Sequence, residues 1–75
     1  MSWNYRVVRK PVRDNDFEFG IHEAYYHDGE SKPWAITQNA TAPREEDAEE
    51  LAETILHMYE AFGKPVLDYE TREAI

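Results

Sequence analysis

The stretch Phe17–Tyr26, FEFGIHEAYY, decides the fold. It is rich in aromatic and β-branched types, so it reads as a strand. Alternation puts Phe17, Phe19, Ile21, Glu23 and Tyr25 on one face, and Glu18, Gly20, His22, Ala24 and Tyr26 on the other. These are termed the Ile21 face and the His22 face. Upstream, WNYRVVRK (residues 3–10) reads as a second strand, joined through the turn residues Arg13-Asp14-Asn15-Asp16. The hairpin register sets Arg6 across from His22 and Lys10 across from Glu18. Downstream, Asp28-Gly29 has the chemistry of a two-residue hairpin turn, and Trp34 to Gln38 should return as a third strand. That turn pairs Tyr25 with Lys32, Glu23 with Trp34 and Ile21 with Ile36. Pro33 cannot donate to a ladder, which places this strand at an edge.

Asp47-Ala48-Glu49-Glu50 reads as a capping box that opens a helix. Ala48, Leu51, Ala52, Ile55, Met58, Tyr59 and Phe62 recur at spacings of three and four, and Gly63 and Pro65 close the segment. The helix should run from Ala48 to Phe62 and cover the Ile21 face, with Leu51, Ile55 and Phe62 against Ile21 and Ile36. The expected fold is α+β: a three-stranded antiparallel β-meander with one C-terminal α-helix on one face (βββα). A single domain spans residues 1–70. The segment GKPVLDYE should pack back onto the core or augment an edge, and residues 71–75 should fray.

The chain has 75 residues, 41% of them hydrophobic, ten aromatics and no cysteine. A fold of this mass exposes about 4,800 Å² and removes about 8,000 Å² from water on folding. Burial of the apolar part of that area contributes about 110 kcal/mol, against an ordering cost of about the same size. Stability is therefore near balance, and no disulfide or thiolate-metal site can add to it. No apolar run reaches the roughly 20 residues of a membrane helix, and MSWNYRVVRK lacks the apolar core of a signal peptide. A cytoplasmic protein is expected, and the acceptor triplet Asn39-Ala40-Thr41 then has no glycosylation role.

Net charge is −8, yet Arg6, Arg9, Lys10 and Arg13 form a basic block with no acid before Asp14. The overall charge disfavours a nucleic-acid partner. Single-stranded nucleic acid stacking on Trp3 and Tyr5 beside that block is a minor alternative, because both rings alternate onto the helix-covered face. Catalytic chemistry finds little: there is no cysteine, no phosphate loop and no nucleophile motif at Ser2 or Ser31. His57 lies among surface glutamates without a second histidine at ligand spacing, and His27 is part of a turn, so no metal or cofactor is expected. Glu23, on an apolar face, must reach a rim or a hydrogen-bond partner near Trp34 and Tyr5.

The blocks MSWNYRVV, GIHEAYY and GKPVLDYE resemble a set of small bacterial proteins. The resemblance implies a bacterial, cytosolic protein and carries no activity, cofactor or site residue with it.

The function expected from these features is a non-enzymatic protein-interaction module. It uses the uncovered sheet face or an edge strand, and self-association is its simplest form. The candidate binding residues are Arg6, Val8, Lys10, Glu18, His22 and Tyr26, all on the face that the helix leaves bare. A small-ligand or catalytic site around Arg6 and His22, with Glu18 and Tyr26 beside them, is the alternative from a different class. It requires that these side chains converge on a pocket.

Overall fold

A computed structural model describes all 75 residues. In chain order the elements are β1 (Ser2–Arg13), β2 (Asp16–Tyr26), β3 (Ala35–Ile36), α1 (Ala48–Tyr59), a 3₁₀ turn (Glu60–Gly63) and β4 (Leu67–Asp68). The sheet order is β3-β2-β1-β4; β1–β2 and β2–β3 are antiparallel, and β4 runs parallel to β1. The fold is thus α+β, but with a four-stranded mixed sheet in place of the expected three-stranded antiparallel meander.

The long hairpin follows its sequence. Arg6 lies opposite His22 and Lys10 opposite Glu18. Asn15, at φ 63°, takes the left-handed turn position that its short polar side chain tolerates. The register of β3 differs from expectation. Gly29 does adopt positive φ, at 81°, but the chain stays in a wide loop through Pro33, and Ile36 pairs with Ala24 instead of Ile21. An odd shift of register turns every side chain of the strand to the other face. Ile36 consequently packs on the His22 face, against the cluster of Val8, Ala24, Tyr26 and Leu67. In that loop Pro33 is fully buried, and its carbonyl accepts a hydrogen bond from Arg72 Nε at 3.1 Å.

The helix begins where the capping pattern puts it, with the Asp47 carboxylate accepting from the Glu50 amide at 2.8 Å. It docks by the margin of its apolar stripe. Met58 and Ala61 are buried and Leu51 and Thr54 half-buried, whereas Ile55 and Phe62 are 45% and 65% exposed. The expected packing of Leu51, Ile55 and Phe62 on Ile21 and Ile36 is not formed, because Ile36 faces the other way and the helix lies over β1. Its polar flank meets the sheet as well: the His57 ring sits 5.7 Å from Trp3 and 5.0 Å from Tyr5.

Cover for the His22 face comes from the C-terminal segment instead. After Gly63 the chain rounds the β1 edge, pairs Leu67 with Val8 and Asp68 with Arg9, and brings Tyr69 against His22. Residues 71–75, expected to fray, turn back along β4: the Ile75 amide donates to Val66 and the Asp68 amide to Glu73. Small residues on the face let cover approach closely. A Cβ on Gly20 would lie 2.8 Å from the Ala40 Cβ, so the strand glycine makes room for the 37–41 segment.

Leu67, at the centre of this second layer, should be worth far more than an exposed helix leucine. Leu67→Ala is expected to lower unfolding free energy by about 3 kcal/mol. Leu56→Ala, on the open side of the helix, should change it by less than about 0.5 kcal/mol. Urea unfolding followed by circular dichroism measures both, and equal effects would contradict a core on the His22 face.

Candidate functional site

The six residues proposed for recognition lie on one face of the β1–β2 hairpin, as alternation requires, but that face is covered. Val8 is fully buried, His22 is 1% exposed, and Arg6 and Tyr26 are 7% exposed. Lys10 is half-buried, and Glu18 alone is exposed. The expectation of a bare His22 face is therefore corrected: the loop through Pro33 and the segment 66–72 shield it. The open face is the Ile21 face.

Beneath the cover the polar groups are hydrogen-bonded in separate groups. The Arg6 guanidinium donates through Nη1 to the Tyr26 hydroxyl at 3.0 Å and through Nη2 to the Pro65 carbonyl at 2.6 Å. The Tyr26 hydroxyl in turn donates to Asn4 Oδ1 at 2.8 Å. His22 Nδ1 lies 2.8 Å from the Thr37 carbonyl. A carbonyl can only accept, so Nδ1 carries a proton and donates it to this bond. Lys10 Nζ donates to the Gln38 carbonyl at 2.6 Å and lies over the Tyr69 ring at 4.7 Å, and it forms no ion pair with Glu18. Arg6 and His22 are thus cross-strand neighbours tied to different partners, Arg6 to the chain after the helix and His22 to the loop after β3.

A wide cleft of about 410 Å³ opens beside Arg6, lined also by Lys32, Pro33, Pro65, Arg72 and Glu73. Sequence reasoning missed this convergence, since Lys32 and Arg72 stand 40 residues apart, and the tail that unites them has no periodicity of its own. On the other face, Glu23 has the hydrogen-bond partner its position demands: Tyr25 donates to its carboxylate at 2.6 Å. That bond, with burial and the Glu23 charge, raises the Tyr25 pKa above 10.0. Burial, followed by the charges of Glu23 and Glu45, raises that of Tyr5.

The open Ile21 face carries an apolar surface. Phe17 is 50% exposed, with Arg9 over its ring at 4.5 Å, and Phe19 is 62% exposed. Ile55, Tyr59 and Phe62 also stay open, on the helix flank turned away from His57. No protein-family model, curated protein or solved structure matches this chain.

The cover over Arg6 and His22 is fixed by Asp68. Its carboxylate accepts from the amides of Glu70 and Thr71 at 2.9 Å each and meets Arg9 at 3.4 Å. The Thr71 bond foremost, then Glu70 and Arg9, outweigh desolvation and hold the Asp68 carboxyl below its ordinary 3.8. A depressed carboxyl contributes stability that is present above its unfolded pKa and lost as pH falls through the folded value. Asp68→Asn is therefore expected to lower stability at neutral pH and to flatten the loss in acid below pH 3.8. Thermal melts of both proteins at neutral and acid pH measure this, and parallel losses would contradict the role given to Asp68.

Proposed function

We propose that this protein is a non-enzymatic interaction module that associates with a second copy of itself through the Ile21 face. The observation that carries the reading is an excess of surface. The chain exposes 5488 Å², about 700 Å² more than a compact monomer of its mass, which exposes about 4,800 Å². A standard protein interface removes about 800 Å² from each partner. Shape agrees with area: the radius of gyration is 13.0 Å, against about 11.3 Å for a compact domain of this length.

The chemistry of the open surface supports the same reading. Phe17, Phe19, Ile55, Tyr59 and Phe62 are large, apolar and exposed on the helix-bearing side of the sheet. Aromatic residues of this kind, with Arg9 beside them, are the usual anchors of a protein interface. A two-fold pairing sets the helix flank of one copy against the phenylalanine row of the other, so one surface serves both partners. The sheet edges offer less. β3 and β4 are two residues long, and β4 is further closed by the Leu67–Ala74 bridge.

Sedimentation equilibrium tests the reading. The wild-type chain is expected to be dimeric at about 100 µM, and Phe19→Asp and Phe62→Asp should each raise the dissociation constant about 30-fold or more. Both side chains are open to solvent, so far-ultraviolet dichroism of the variants should match wild type. A wild-type monomer at that concentration, or variants that dimerise as wild type does, would overturn the proposal.

A further inference from the structure

We infer that the cleft between β1, the loop before β3 and the C-terminal tail binds a dianionic phosphate group of a small molecule. The argument starts from Arg6. Its side chain is more than nine-tenths buried, and none of the chain's 16 carboxylates lies within ion-pair distance of it. A guanidinium has five N–H donors. The chain supplies two acceptors, Tyr26 Oη and Pro65 O, while Nε, like that of Arg9, is buried without one. Burying a cation without a counter-charge is costly, and in a chain of net charge −8 a carboxylate partner would have been easy to supply. The structure instead brings further cations to the same cleft.

Lys32 and Arg72 line the cleft with Arg6, and Glu73 is its one acid. The Lys32–Glu73 pair is long, at 3.7 Å, and both side chains are at least half exposed, so it neutralises little. The lining therefore carries an excess of two positive charges. Arg72 is held at a positive φ of 61° while its Nε donates to the Pro33 carbonyl, a backbone conformation uncommon for a side chain of this size. Its other guanidinium nitrogens stay free for a ligand. Because the cations come from three separate segments, they suit a tetrahedral dianion that accepts from several directions better than a planar carboxylate held by one fork. The inference is independent of self-association, because the cleft lies on the His22 side of the sheet.

The test is an amide and arginine-Nε NMR titration of the wild-type protein with inorganic phosphate at neutral pH and constant ionic strength. Saturable shifts are expected at Arg6 Nε–H and at the amides of Ser31, Lys32, Arg72 and Glu73. Arg72→Gln and Lys32→Gln, at positions with solvent access, should each weaken binding about three- to tenfold. Phosphate should also raise the thermal midpoint of wild type more than that of Arg72→Gln. Three results would each overturn the inference: linear shifts without saturation, equal shifts from chloride, or unchanged affinity in both variants. Acetate binding as tightly as phosphate would overturn the assignment to a dianion.

Discussion

The parallel pairing of Leu67 with Val8 is the contact on which the arrangement rests. It carries the C-terminal chain over a face built from Val8, Gly20, His22, Ala24 and Tyr26, and so decides which side of a thin sheet becomes the interior. The opposite face holds bulkier residues, yet a helix of 12 residues lying over β1 alone covers little of it. Small side chains admit a second layer at close range, as Gly20 does for Ala40, whereas a row of phenylalanines holds a neighbour off. The interior is therefore the face whose residues are individually less hydrophobic but more closely approached.

This choice explains the polar interior. Arg6 and His22 lie inside because they share a face with Val8 and Ala24, and strand alternation gives them no other position. Their hydrogen bonds to the Pro65 and Thr37 carbonyls tie the hairpin to the two segments that cover it. Polar groups used in this way serve as register marks: a tail displaced along β1 would leave a buried guanidinium without its acceptor. The same groups limit how dry the interior can be, and only ten of the 75 residues are buried.

The hairpin was legible because its signals are local. Alternation, the Arg13–Asp16 turn and the cross-strand pairs Arg6–His22 and Lys10–Glu18 are all fixed within a few residues of one another. The helix start was legible in Asp47 for the same reason. Three features were not. The register of β3 depends on how many residues the loop beyond Gly29 takes up, and an odd difference there reverses the face of Ile36. Helix rotation depends on what lies beneath it: the exposed His57 ring rests against Trp3 and Tyr5, while Ile55 and Phe62 stay open. The tail GKPVLDYE carries too few apolar residues to announce itself as a second layer, although Leu67 and Tyr69 are what make it one. Alternation therefore places Arg6, Val8, Lys10, Glu18, His22 and Tyr26 on one face, while the cover over that face comes from segments whose position no local signal fixes.

The two proposals occupy opposite sides of a molecule whose shortest dimension is 20 Å. A second copy on the Ile21 face would cover Phe19 and Phe62 and leave uncovered the cleft that Arg6, Lys32 and Arg72 line. The sides are still physically joined, because β1 contributes alternate residues to both: Val7 lies beneath the helix side and Arg6 and Val8 beneath the tail. Restraint of β1 by association on one face would hold Arg6 in place on the other, and an anion bridging Arg6 to Arg72 would fasten the tail that keeps β1 paired with β4. Both proposed events would therefore act on the same strand, from its opposite faces.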